Sequence, residues 1–259
     1  MSVIAIASLL ATQAQVTLLY QPKVGSTYKS SMTMAQTSQM GNSSTSMTVS
    51  VKVLGLENGY YKLQSTTSNV KVTGGAGAGS DQMKKAMEKS STMYVDKHFK
   101  PKLDAKNASV DMQNMMSGMN SAFSGVVFPS KPVKVGETWT NVIDMGAMMN
   151  GLAKGQKGAD GMKTTGKINL TYKLVKADST SVLIGLSIAG TMNMDMSGGK
   201  GAGAQGMNMK VSMTMSGGGT ASMERATGTP IGSNTNMNMT MNIGGQPMKM
   251  TQKITTKRV

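Results

Sequence analysis

Apolar and polar residues alternate with a period of two along most of this chain, the spacing of a strand that turns one face inward. After Gly25, Tyr28, Met32 and Met34 alternate with Lys29, Ser31 and Thr33, and Gly41-Asn42 is expected to reverse the chain. Met47, Val49, Val51 and Val53 mark the next strand. Asn58-Gly59 is a strong hairpin signal, because both central positions of the tight turn prefer a positive φ. Tyr61 and Leu63 share one parity while Val70 and Val72 take the other, which predicts a bulge near Thr66–Asn69. The longest strand signal is Val182–Met196, where Val182, Ile184, Leu186, Ile188, Met192, Met194 and Met196 keep one parity around Gly190. Roughly fifteen residues extend about 50 Å at the strand rise. Such length without a parity switch predicts a strongly twisted or curved sheet. Met207, Met209, Val211, Met213 and Met215 predict the next strand, and Met237, Met239, Met241 and Ile243 another. Gly244-Gly245 then turns into a last strand, Met248–Lys257.

Between these runs the period changes. The hinge Gly74–Gly79 leads into an expected short helix, Asp81–Lys89, and Thr92–Leu103 follows as strand, turn and strand. Met112, Met115, Met116, Met119 and Phe123 fall at helical spacing, with Ser109 as N-cap and Gly125 as stop. Lys200–Gly206 reads as a loop. The pattern also repeats. Val24-Gly25-Ser26-Thr27-Tyr28 is echoed by Val135-Gly136-Glu137-Thr138-Trp139, each opening a strand. A two-strand meander follows in both halves, Met47–Val72 and Ile168–Met196, and then a turn segment, Thr92–Ala108 and Gly219–Thr235. The expected organisation is a first β unit over 15–109, a helical connector over 110–133 and a second β unit over 134–259. The fold class is mainly β (α+β): a curved antiparallel sheet or half-barrel of two duplicated units with two or three short helices.

The segment Phe128-Pro129-Ser130-Lys131-Pro132-Val133-Lys134-Val135-Gly136-Glu137-Thr138-Trp139 resembles the mid-chain signature of an uncharacterised family of exported bacterial proteins. In that family a proline-containing lead-in precedes a Val-Gly-acidic-polar-Trp strand start. Gly25–Tyr28 and Gly219–Gly232 fit the same pattern, so the likeness spans most of 16–259. The family is similar in outline to the half-barrels of periplasmic lipoprotein carriers, which hold acyl chains in a curved sheet plugged by helices. The resemblance implies a fold and a compartment, and no activity.

The N-terminus points to export as well. Val3–Ala11 is an uninterrupted apolar run in a stretch, Ser2–Gln15, without any charge, and Thr12-Gln13-Ala14 follows. That is the layout of a signal peptide over 1–14, cleaved after Ala14. It is far shorter than the ~20 residues of a membrane span. A buried N-terminal strand continuing into Val16–Tyr20 is the alternative. With 0 cysteines there is no lipobox anchor, no disulfide and no thiolate site. The expected location is secreted or periplasmic.

Composition adds a net charge of +15 from 27 Lys+Arg against 12 Asp+Glu. Lys84, Lys85, Lys89, Lys97, Lys100 and Lys102 form one loose cluster. Lys249, Lys253, Lys257 and Arg258 form a second, placed on the outer positions of the last strand. These read as a solvated face that also attracts anionic envelope surfaces. With 3 Phe, 1 Trp and 6 Tyr, stacking platforms for nucleic acid are few, and no basic helix appears. The carboxylates are scattered singly, His98 is the lone histidine between Lys97 and Lys100, and the glycine stretches lack a phosphate-loop ending. The chain is therefore expected to be neither an enzyme nor dependent on a cofactor.

Methionine, 29 residues of 259, needs its own account. Being unbranched and soft, it can serve simply as the apolar member of each alternating strand. The same face can line a cavity for an apolar small molecule or lipid, and the candidate lining is Met192, Met194, Met196, Met207, Met209, Met213, Met215, Met237, Met239 and Met241. Thioethers also select Cu(I), with alternate strand residues ~7 Å apart on one face, and they can absorb oxidants reversibly. The functional expectation is a non-enzymatic exported protein binding an apolar or acyl ligand on a Met-lined concave face. The alternatives are a Cu(I)-binding periplasmic protein and a structural envelope component without ligand.

Overall fold

A computed structural model describes residues 15–39, 41–74, 88, 90–102, 126–147, 163–195 and 210–259. The alternating segments form ten antiparallel strands: β1 (Thr27–Ser38), β2 (Gly41–Glu57), β3 (Tyr60–Gly74), β4 (Ser90–Asp96), β5 (Thr138–Asp144), β6 (Lys163–Ala177), β7 (Ser181–Asp195), β8 (Lys210–Glu224), β9 (Pro230–Ile243) and β10 (Gln246–Arg258). They belong to one sheet in the order β4-β3-β2-β1-β10-β9-β8-β7-β6-β5. The chain thus meanders from neighbour to neighbour, and the first strand pairs with the last along Ser30–Ser38. β4 and β5 remain as edges, so the curved sheet is not closed. Both expected β units share this sheet.

One end of the sheet, here called proximal, carries the tight turns 58–59, 178–180 and 225–229. The other, distal end carries the Gly244-Gly245 turn and the strand ends Gly74, Ser90, Asp195 and Lys210. The expected alternation sets the faces: Ile168, Leu170, Tyr172 and Leu174 in β6 and Val182, Ile184 and Ile188 in β7 are all buried. Their neighbours Lys167, Asn169, Thr171 and Lys173 are exposed. Asn58 and Gly59 adopt positive φ, and a register shift accompanies positive-φ Asn69, inside the expected bulge.

Two non-strand segments complete the proximal core. The N-terminal residues run along the gap between the sheet edges: Val16 exchanges hydrogen bonds with Val133 (2.8 and 3.0 Å), Tyr20 N–H donates to Lys97 O and Gln21 N–H to Thr227 O, both at 2.8 Å. Phe128 N–H donates to His98 O at 2.8 Å, and Trp139 Nε1–H to Val127 O at 2.7 Å. Val16, Leu18, Tyr20, Val126 and Phe128 are all buried. Tyr20 meets Tyr61 and Phe99 edge-on, with ring centroids 5.4 and 4.7 Å away, a preferred aromatic geometry.

The two Gly-containing strand starts are alike in detail. Gly25 N–H donates to Val53 O and Val53 N–H to Ser26 O; Gly136 N–H donates to Leu174 O and Leu174 N–H to Glu137 O. Register shifts follow immediately after both Val53 and Leu174, which are partnered by Leu63 and Ile184.

Four expectations need correction. Gly41-Asn42 is not a turn: β2 begins at Gly41, and the Met32↔Met47 register on the inner face centres the reversal between Ser38 and Gly41. Gly219–Thr235 is mostly strand, with only 225–229 as turn. Gly217 and Gly219 lie within β8, where a Cβ would run into Asn236 O and Asn234 O of β9, so glycine permits a close approach of the two backbones. Of Thr92–Leu103, β4 takes 90–96 and the return is reduced to a single bridge, Val95↔Pro101. Arg258 has the inward parity of β10, opposite to Lys249, Lys253 and Lys257. The expected helices Asp81–Lys89 and 109–125 fall almost wholly outside the described residues, as does the 1–14 segment. Among the described residues, helix is confined to 145–147.

Candidate functional site

The inner face is organised in rows of directly paired residues. One row runs Met192 (β7), Met213 (β8), Met241 (β9), Met248 (β10). The next, one step toward the proximal end, runs Gly190, Met215, Met239, Met250 and Ser38 (β1). The third runs Ile188, Gly217, Met237, Gln252, Gln36 and Ser43. Beyond it the rows are closed by Tyr172, Leu174, Ile184, Val53 and Leu63, each at most 1% exposed.

Of the ten sequence-derived lining residues, Met215 and Met237 are buried in the core, and Met192, Met213 and Met239 pack against it half-buried. Met194 and Met241 are half-buried at the distal rim. Met196, Met207 and Met209 lie outside the described residues. The pairing adds members that the sequence pattern had not assigned to the site. Met248 and Met250 extend the rows across β10, and Gln252 donates from Nε2 to Met34 Sδ at 2.8 Å. Their parity was legible, and the two-residue Gly244-Gly245 turn sets the β9·β10 register that places them beside Met239 and Met241.

No charged side chain of β1, β2 or β5–β9 has the inward parity in the distal rows. The inward cation of β10, Arg258, sits at the proximal end. Its Nε donates to Pro230 O (2.9 Å), its Nη2 to Thr229 Oγ1 (2.6 Å), and Nη1 stands 3.8 Å from Glu224 Oε2. Thr227 and Thr229 hydroxyls donate to the same carboxylate oxygen at 2.6 and 2.9 Å, and they chiefly hold Glu224 below the usual glutamate range. Tyr20 and Tyr28 hydroxyls meet at 3.2 Å, and burial raises both. Tyr172, stacked on Trp139 at 5.5 Å, is pushed up to about 12 by burial. Its hydroxyl lies beside the Val127 backbone without a hydrogen bond of ordinary geometry among the described residues.

A cleft of about 680 Å³ opens at the distal rim of β6–β9. It does not lie on the Met-bearing inner face: Thr165, Asn193, Ser212 and Asn242 line it from the outer face, with Lys163, Lys210 and Asp195 at its edge. From the inner rows only Met194 and Val211 reach it.

His98 is part of a turn. Its backbone N–H and that of Lys100 donate to Asp96 Oδ1, both at 2.8 Å, and its Nδ1 lies 3.1 Å from Pro129 O. Among the described residues there is no group of three or more His, Cys, Asp or Glu that could hold a metal ion, and no helix long and apolar enough to cross a membrane. No protein-family model and no curated protein matches this chain.

Proposed function

We propose that this chain is an exported, non-enzymatic binding protein that takes an apolar or acyl ligand on the distal half of its concave, Met-lined face. One observation carries the reading. Met192, Met194, Met213, Met239, Met241, Met248 and Met250 point inward yet stay half-buried toward the distal end, while the same face is filled mainly by Leu, Ile, Val and Tyr at the proximal end. Flexible thioether chains adapt to varied apolar shapes, which suits a lipid better than a rigid ring system. The curved, unclosed sheet agrees with the likeness to periplasmic carrier half-barrels. The matched starts at Gly25 and Gly136, with their shared bulges, support an origin by duplication of a β unit. Export rests on the apolar Val3–Ala11 run, and N-terminal sequencing of the mature protein is expected to begin at Gln15.

Native mass spectrometry of gently extracted protein tests the ligand. A co-purified acyl mass is the expected result, and an unliganded spectrum overturns the reading. Cu(I) is the second reading, favoured by the direct opposition of Met192, Met213 and Met241. Titration against a competing chelator decides it: affinity no better than micromolar ends it. The outer face supplies a weak attraction to anionic envelope surfaces through Lys29, Lys249, Lys253 and Lys257, all exposed and none in an ion pair among the described residues. Retention on such surfaces is expected to fall as salt screens the charges.

A further inference from the structure

We infer that the ligand of the concave face is an uncharged amphiphile, an acyl chain carrying an ester, amide or hydroxyl head, and that Gln36 and Gln252 receive that head. The inference rests on the apolar-ligand reading above and narrows it. Gln36 and Gln252 are direct cross-strand partners on β1 and β10, where the first and last strands join. They stand on the inward row between Met237 and Ser43, one step from Met250 and Ser38. Both are half-buried on the core-facing side.

Their hydrogen-bonding capacity is largely unspent. Gln252 gives one N–H to Met34 Sδ, a weak acceptor, and the Gln36 amide has no partner among the described residues. Each amide therefore presents both a donor and an acceptor beside the methionine rows. Neither amide is sealed from solvent, so a ligand reaches them by replacing water, and the carbonyl and hydroxyls of an acyl ester fit both roles. A carboxylate or phosphate head accepts from the amide N–H groups but has nothing to donate to the amide carbonyls. Among the described residues the distal inner rows offer no cation, and Arg258 is at the far end, already engaged by Glu224, Thr229 and Pro230. An anionic head there would lose its hydration with no opposite charge in exchange. The methionine rows take the chain, and the Gln36–Gln252 pair reads the head.

The test is displacement of N-phenyl-1-naphthylamine, an uncharged fluorescent probe, from the full chain by 1-monolaurin and by laurate. The two share one acyl chain and differ in the head. The titrations are run at pH 8 in roughly 0.5 M salt, where the attraction of the basic outer face for laurate is screened. Monolaurin is expected to displace the probe at a concentration at least ~10-fold lower than laurate, about 1.4 kcal/mol of preference. In Gln36→Leu/Gln252→Leu that ratio is expected to collapse toward one. Equal displacement by both, or a preference for laurate, in the unaltered chain overturns the assignment of the head while leaving the apolar face as a site. Retention of the ratio in the double variant likewise removes the two glutamines from the argument. Failure of the probe to bind at all overturns both readings together.

Discussion

At the proximal end the inner face is closed by Tyr20, Phe128, Leu63, Tyr172, Leu174 and Ile184, and two irregular segments are tied into it by backbone hydrogen bonds. At the distal end β7–β10 offer Met192, Met213, Met239, Met241, Met248 and Met250, all half-buried, the first three packed against the core from one side. Branched and aromatic side chains have few rotamers and interlock in one arrangement, whereas methionine has three rotatable bonds and specifies packing weakly. The sheet is continuous through both regions, so the contrast lies in side-chain chemistry and not in backbone architecture. The proximal half is interlocked, and the distal half is specified less tightly by its side chains.

Truncations should expose this contrast most sharply. Tyr20→Ala removes a fully buried ring, two edge-on aromatic contacts and the bond to Tyr28. It is expected to cost roughly 3–5 kcal/mol in denaturant unfolding. A loss as small as that of a rim methionine would erase the distinction between the two ends. Next in size is Gly219→Ala. Its new Cβ meets Asn234 O, so the β8·β9 approach must open, at roughly 1–3 kcal/mol. Unchanged stability would show that this close approach does not depend on glycine.

At the distal rim, Met241→Leu nearly conserves volume and should change stability by less than about 1.5 kcal/mol, while shifting the midpoint of probe displacement. A variant that unfolds as readily as Tyr20→Ala would place the rim in the rigid core. The smallest effect concerns pH and the proximal turns. Asp178 accepts N–H groups from Thr180 and Ser181 at 3.0 and 2.7 Å, which lower its pKa to about 2. A lowered folded value means that its stabilisation is complete above the unfolded pKa of ~3.9 and fades as pH falls through about 2. The difference between the native chain and Asp178→Asn should therefore be present at neutral pH and vanish in strong acid. Stability curves that stay parallel down to pH 2 would contradict it.

The strands and the faces of their side chains were legible in the local pattern. A period of two assigns each side chain to a face wherever one face is buried, and Asn58-Gly59 and Gly244-Gly245 carry their turn geometry in their own backbone preferences. The methionines of the site were readable in the same way, as inward members of their strands. The glutamines that flank them were not singled out, because a polar residue on an apolar parity gains meaning only beside its partner. Gln36 and Gln252 are 216 positions apart by number and become neighbours through the β1·β10 pairing. The same holds for Gly219, which local rules assign to a turn segment and which lies in β8 close against β9, and for Arg258, whose inward parity places it in reach of Thr229 and Glu224. Local sequence decides which way each residue points; only the non-local register decides what it points at, because pairing energy is shared between strands that no short stretch of chain contains.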